Sequence, residues 1–391
     1  MPTWNVRFDL AIDDRQYEMV VLVERADAFA RVIRAIPITP AVQQYIDCLN
    51  IHRAVRGTTA LEGSTVTEEE VADILEHPGK EILPLARARE QQEVLNAKAA
   101  MDYVIQILDH DVEERLTEEK VKHIHLLTTQ NIAYAHNQPG EYRHHPVVAG
   151  TYVPPRTGEE VRNKMGEFFQ WLYSPQAKAL HPAIRALAAH FYFISIHPFG
   201  DGNGRTARTI ESYLLYQGGL NARGFYSLAN YYYRNREDYM NLLDEVRFRT
   251  NGSLGPFLRF GLQGLVAELQ SVHEEVLAEV RRIAYRDFAR EHLLEHSETE
   301  KLHRQTAQRL LSLATWLSVE RKGVSISKLK RGDIAPPVAY RGKHPRTLAR
   351  DIDFLMKSGL FKMEGDNLLA NIDRMSCFTV RHYGNPPKAT E

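Results

Sequence analysis

His197-Pro198-Phe199-Gly200-Asp201-Gly202-Asn203-Gly204-Arg205-Thr206-Ala207-Arg208 sets a titratable base, a carboxylate, a Gly-Asn-Gly turn and two arginines within one short stretch. Each residue type has a physical use at its place. Gly202-Asn203-Gly204 can turn through positive φ and expose backbone N–H groups. With the N-terminus of a following helix, those groups form an anion nest. Arg205 and Arg208 are three apart, so on that helix they share a face. Their planar forks suit phosphate oxygens. Asp201 is placed to hold a hard cation such as Mg²⁺. His197 stands just outside the cradle with a pKa suited to general-base work. Together these residues describe a site for a nucleotide polyphosphate with a base beside it.

The stretch resembles the signature of the Fic family, His-x-Phe-x-(Asp/Glu)-Gly-Asn-Gly-Arg-x-x-Arg, at every fixed position. The resemblance implies a mainly α fold, a Fic-type helical core with a β-hairpin flap. It also implies an enzyme that transfers a nucleotide moiety, usually AMP from ATP with Mg²⁺, onto a protein hydroxyl. On that reading His197 takes the hydroxyl proton and Asp201 holds the metal. Gly202, Asn203, Gly204, Arg205 and Arg208 bind the phosphates, and Phe199 anchors the loop in the core. UMP and GMP stay open as the transferred group.

A second pattern lies upstream. Thr58-Thr59-Ala60-Leu61-Glu62-Gly63 resembles the inhibitory motif of Fic proteins, with Thr58, Glu62 and Gly63 at its fixed positions. A glutamate delivered into the cradle would pair with Arg208 in place of a γ-phosphate, as bidentate Arg–carboxylate geometry allows. In some members such a glutamate also positions water for hydrolytic removal of AMP, and Glu62 keeps that second activity open. Gly140-Glu141-Tyr142-Arg143 begins an extended stretch centred on Val147, Val148, Ala149 and Gly150. The resemblance places here the flap whose edge pairs with a target's backbone; a hairpin packed on the core is the other reading. Tyr231, Tyr232, Tyr233, Arg236 and Tyr239 form an aromatic cluster. Tyr239 is a candidate to stack on adenine, with a plain core role as the alternative.

Outward from these motifs, Trp4 to Leu10 and Tyr17 to Leu22 read as two short strands around an Asp-Asp turn. Thereafter the chain reads as helix. Thr39-Pro40 opens one helix, Thr67 to Glu70 and Thr157 to Glu160 are capping boxes, and Thr117 and His181-Pro182 start two more. Further helical patterns cover Leu85 to Leu108, Arg205 to Leu215 and Pro256 to Glu291. A polar run at 292–304 suggests a boundary, giving an N-terminal region 1–110 with the inhibitory helix, a core 111–291 and a C-terminal domain 305–384. That last domain reads as three helices and a hairpin around Glu364-Gly365-Asp366-Asn367, which resembles a winged helix-turn-helix.

Hydrophobic residues make up 43% of 391, enough for a sizeable core, and the net charge of −1 argues against a nucleic-acid coat over the whole chain. The charge is uneven, however. Residues 301–391 hold 17 Lys and Arg against 8 Asp and Glu, a basic module. Within it Lys343, Arg346 and Arg350 are candidate DNA contacts. Two distant cysteines, Cys48 and Cys377, make a disulfide framework or structural zinc site a poor fit. No eighteen-residue apolar run and no signal-like N-terminus occur, so a soluble cytoplasmic protein with no membrane role is expected. The expected partners are ATP and a protein target, the chain itself among the candidates. The oligomeric state stays open, with a homodimer among the states allowed. A rival class is a DNA-binding regulator whose core senses nucleotide; the intact His197 favours an enzyme, since sensing needs no base.

Overall fold

Thr39, Thr67, Thr117 and Thr157 each accept a backbone N–H at the start of a helix, and Thr67 and Thr157 complete capping boxes with Glu70 and Glu160. These caps satisfy N–H groups that the first helical turn leaves unpaired. The computed structural model describes residues 6–8, 16–221, 228–250, 252–298 and 303–378, and in that range the chain is mainly helical. It forms two compact units, Met1–His273 and Glu274–Glu391.

The first unit holds α1 (Gln16–Ala35), α2 (Pro40–Leu61), α3 (Glu68–Glu76), α4 (Ala88–His110), α5 (Glu118–Thr129), α6 (Gly158–Leu172), α7 (Pro175–Ala179), α8 (Pro182–Ile196), α9 (Asn203–Gln217), α10 (Ala229–Arg234) and α11 (Arg236–Phe248). It also holds the start of α12 (Gly255–Glu298). α8 is its axis. Leu187, Ala188, Ala189, Phe191, Tyr192, Phe193 and Ile196 are all fully buried, the mark of a helix enclosed on every side. α9 packs along α8, and the signature loop joins the two. α2 crosses α10 at Gly57, where a Cβ would come within 2.6 Å of Asn230 N and 2.7 Å of the Ala229 carbonyl carbon. Glycine there lets two backbones touch, and it fixes the height at which the end of α2 meets α9.

Two expectations change. Tyr17 to Leu22 is helical, part of α1. A short stretch can fit a strand, but Met19, Ala26, Ala30 and Ile33 line up as one buried helical face, and that longer period decides. Trp4 to Leu10 lies mostly outside the described residues. The expected flap hairpin is reduced to isolated bridging, with Ala149 antiparallel to Tyr152 and Gly150 at φ 59°. No strand forms over residues 141–153, because Pro146, Pro154 and Pro155 remove ladder donors on both sides of the turn.

The second unit comprises the rest of α12, then α13 (Arg304–Val319), β1 (Val324–Ser325), α14 (Ile326–Arg331), α15 (Pro345–Lys357), β2 (Phe361–Glu364) and β3 (Asn367–Ala370). Its sheet is antiparallel in the order β1-β3-β2, with Glu364 opposite Asn367. The expected hairpin is therefore β2 and β3. Leu313, Leu317, Leu355, Leu360 and Leu368 form its core. Buried Asp351 is held by Arg309 at 2.6 Å and by the Tyr340 hydroxyl at 2.9 Å.

Candidate active site

α8 ends at His197, whose φ of 51° turns the chain out of the helix. A non-glycine residue in the left-handed region carries strain, and Arg143 holds it there. Arg143 Nε donates to His197 O at 2.8 Å, and its two terminal nitrogens donate to His145 O at 2.9 Å and Pro155 O at 2.7 Å. The Arg143 N–H also donates to Pro198 O at 3.0 Å. One buried fork thus clamps the base and both arms of the 145–155 segment. Burial lowers the Arg143 pKa to about 10, which still leaves it charged at neutral pH.

His197 Nδ1 lies 3.3 Å from Ile194 O, an acceptor, so that nitrogen carries the proton and Nε2 is left as the base. Burial lowers the His197 pKa to about 4, and the nearby Arg143 and Arg247 charges push the same way. The imidazole is therefore neutral and able to accept a proton at physiological pH.

Beyond His197 the loop is held by its own side chains. Phe199 N donates to Asn203 Oδ1 and Asn203 Nδ2 donates to Phe199 O, both at 2.9 Å. The Asn203 amide thus closes the loop, while one Nδ2 hydrogen and the backbone N–H are left to face a nucleotide. Gly202 caps α9 at φ 75°, and a Cβ on Gly204 would strike the Glu62 carboxylate. Phe199 is fully buried, as expected of an anchor. Asp201 keeps 43% side-chain exposure and receives Arg205 at 3.3 Å. Arg205 donates to the Tyr134 hydroxyl at 2.7 Å and lies 3.5 Å from Glu93, while its buried Nε has no partner.

The upstream motif reaches the loop. Arg208 Nε donates to Thr58 Oγ1 at 2.8 Å, and Arg208 Nη2 donates to Thr58 O at 3.1 Å and Glu62 Oε1 at 2.6 Å. Arg208 is 3% exposed and Glu62 34%. Burial alone would raise the Glu62 pKa, yet the Arg208 and Arg205 charges hold it below the ordinary value. A carboxylate thus sits against Arg208 and the α9 N-terminus, the surroundings a phosphate would seek. Gly63, at φ 101°, turns the chain away after the C-cap of α2.

A cavity of about 320 Å³ opens here, lined by Glu62, His197, Gly204, Arg208, Met240 and Arg247 among others. Ala149 and Gly150 line it too, while Val148 is exposed and Val147 half-buried, neither in a strand. Tyr239 forms part of the wall but is not a free stacking platform. It is 3% exposed, its face stacks on Tyr232 at 4.7 Å, and its hydroxyl lies 2.9 Å from His190 Nε2. The core reading of that cluster is the one the contacts favour. In the second unit Lys343, Arg346 and Arg350 are exposed at and near the start of α15, with Asp353 on the same helix paired to Lys357 at 2.7 Å.

Sequence reading missed several residues of this site. From sequence Arg143 reads only as the entry to the flap. His125, Tyr134, Glu93, Arg247 and Asn137, whose Oδ1 accepts from Asp201 N at 3.1 Å, carry no sequence signal of their own. Their partners are mostly backbone groups or residues far along the chain, which leave no local pattern.

Residues 115–215 match the Fic/DOC family. Protein adenylyltransferase Fic of Nematostella vectensis is 32% identical over 208 residues, covering 52% of this chain and 44% of that protein. The Drosophila grimshawi protein of the same name is 30% identical over 256 residues, covering 64% and 47%. The chain thus spans less than half the length of these curated relatives. Among solved structures, a Fic family protein from Desulfovibrio desulfuricans superposes with a TM-score of 0.54 at 20% identity over 93% of both chains. A Fic domain containing signaling protein from Bacteroides thetaiotaomicron gives 0.53 at 18% identity, over 65% of this chain and 96% of that one. At these identities the structures speak to the fold alone, while the matched segment spans the loop, the base and the arginines described above: this chain carries a Fic/DOC-family domain over residues 115–215.

Proposed function

We propose that the chain is a protein adenylyltransferase, moving AMP from Mg·ATP to a Ser, Thr or Tyr hydroxyl of a target protein, itself among the candidates, and restrained by Glu62. The carrying observation is the convergence of His197, Arg208 and Glu62 on one cavity. In the reaction the hydroxyl oxygen forms a bond to the α-phosphorus. The bridging bond to the β-phosphate breaks, and pyrophosphate leaves with the electron pair. His197 Nε2 takes the hydroxyl proton. The N–H groups at the start of α9, Arg205 and a released Arg208 bind the phosphates, so positioning and electrostatics supply most of the rate.

Asp201 suits Mg²⁺ that arrives with ATP. Among the described residues no three His, Cys, Asp or Glu side chains are grouped to hold a metal by themselves, and Mg²⁺ commonly uses one or two carboxylates plus substrate phosphates and water. Bound there, the ion would neutralise charge on the phosphates.

In this reading residues 1–110 carry the restraint and 111–291 the chemistry, with 305–384 as a separate winged-helix module. The Lys343, Arg346 and Arg350 surface favours a second activity for that module, binding of duplex DNA. The test of the main reading compares ATP affinity and self-labelling by labelled ATP in wild type and Glu62→Gly. The variant should gain both; equal values would remove the inhibitory role of Glu62, and no labelling in either, with target lysate present, would count against transfer.

A further inference from the structure

One buried histidine beside the loop takes no part in the reaction above. His125, on α5, is fully buried and stacks flat on Phe199, with centroids 3.6 Å apart and planes 2° apart. Both of its ring nitrogens are engaged by backbone. Nδ1 lies 2.9 Å from Gly140 N. An amide can only donate, so Nδ1 is the acceptor. Nε2 lies 2.9 Å from Asp201 O. A carbonyl can only accept, so Nε2 carries the hydrogen. Two main-chain groups therefore fix the tautomer. The ring edge also floors Gly202, where a Cβ would lie 3.5 Å from His125 Cδ2 and Nε2 and 2.6 Å from Thr129 Cγ2.

Asp201 and Gly202 are where the loop turns into α9. The peptide joining them carries the carbonyl that His125 holds and the Gly202 N–H that bonds back to Asp201 Oδ1 at 2.5 Å. Orienting that peptide orients the carboxylate and the first free N–H groups of the helix. Its other nitrogen ties the same ring to Gly140, from which the chain runs to the Arg143 clamp.

We propose that His125 is a positioning residue: its Nε2–H, given to the Asp201 carbonyl, sets the peptide that aims both the Asp201 carboxylate and the α9 N-terminus. The part of this inference that concerns Mg·ATP rests on the reading of the loop as a nucleotide cradle; the part that concerns loop order does not.

Three variants of the full chain, made in the Glu62→Gly background, separate the hydrogen bonds from the packing. His125→Phe keeps a flat ring on Phe199 and loses both bonds. His125→Asn has an oxygen as many bonds from Cβ as Nδ1, so it can serve Gly140 but not Asp201. His125→Gln has an amide nitrogen as many bonds from Cβ as Nε2, so it can serve Asp201. The first readout is amide hydrogen exchange over residues 199–204 without nucleotide. Exchange should quicken by about tenfold or more in the Phe and Asn variants and stay near the parent in the Gln variant. The second is ATP affinity measured with Mg²⁺ and with EDTA. The Mg²⁺-dependent gain should fall by about 10–100-fold in the Phe and Asn variants, as for lost supports of metal ligands, and persist in the Gln variant. Unchanged exchange in the Phe variant, or equal damage in all three, would overturn the inference, the latter by showing a purely space-filling role. A parent that binds no ATP would sink the nucleotide reading instead, and exchange alone would then decide the role of His125.

Discussion

Gly57→Ala should release the site without touching it. Gly57 lies on α2, next to Thr58 and five residues before Glu62. A Cβ there would come within 2.6 Å of Asn230 N, 2.7 Å of Asn230 Cα and 2.7 Å of the Ala229 carbonyl carbon. These are backbone atoms of α10 and its start, so no side chain can swing aside. Ordinary carbon contacts need about 3.5–4.0 Å, so α2 must back away by roughly 1 Å. That shift is comparable to the tolerance of the 2.6 and 2.8 Å bonds from Arg208 to Glu62 and Thr58.

Overpacking of this kind costs about 1–3 kcal/mol. Alanine also favours helix over glycine by about 1 kcal/mol. That gain is common to docked and released α2, so it leaves the docking equilibrium unchanged. The released population should then rise by about 5–150-fold. Apparent ATP affinity should follow by the same factor until release is complete. Calorimetric titration of ATP into wild type and Gly57→Ala measures it, with thermal melting to confirm that the variant folds. A folded Gly57→Ala with wild-type ATP affinity would refute the coupling of α2 docking to Arg208.

Other consequences are equally direct. The acid limb of kcat/KM for Glu62→Gly should fall near pH 4, not near the unperturbed histidine value of about 6.5, because the lowered His197 pKa keeps the ring neutral down to about 4. Removing Glu62 also removes a charge that raises it, so a limb at pH 6–7 would mean another group is the base. Arg143→Met should cut transfer by about tenfold or more, the penalty of a misplaced catalytic group, and leave ATP affinity nearly intact; Arg143→Lys should not rescue it, since an ammonium cannot serve three carbonyls at fork geometry. If the second unit binds duplex DNA, the double substitution of Arg346 and Arg350 by Ala should weaken the full chain's binding and lower its salt slope by about 2. A slope unchanged in gel-shift titrations would place any DNA contact elsewhere.

Where the chemistry depends on short spacings, the sequence was readable. The turn, the two arginines and the base lie within twelve residues, and the four threonine caps sit where local rules place them. The Thr58–Glu62 pattern foretold a contact with Arg208 across 146 positions, because both ends belong to recognisable motifs. Partners that are main-chain groups were invisible, since any residue supplies them. Arg143 and His125 act almost wholly on such groups. Tyr17 to Leu22 misleads because six residues with an adjacent valine pair fit a strand as well as one face of α1. Tyr239 could not be placed from sequence, since burial against Tyr232 and His190 depends on how α8, α10 and α11 meet.

If this loop transfers AMP, His197 is the base that the transfer depends on. Intact-mass analysis of Glu62→Gly after incubation with Mg·ATP, beside Glu62→Gly carrying His197→Ala, tests it most directly, with ATP binding measured on both. The first protein should gain the mass of one or more AMP groups. On the second the rate should fall by about 10²–10⁴-fold, with ATP still bound. Equal modification of both proteins, or none on the first while it binds Mg·ATP and meets a lysate of candidate targets, would contradict it.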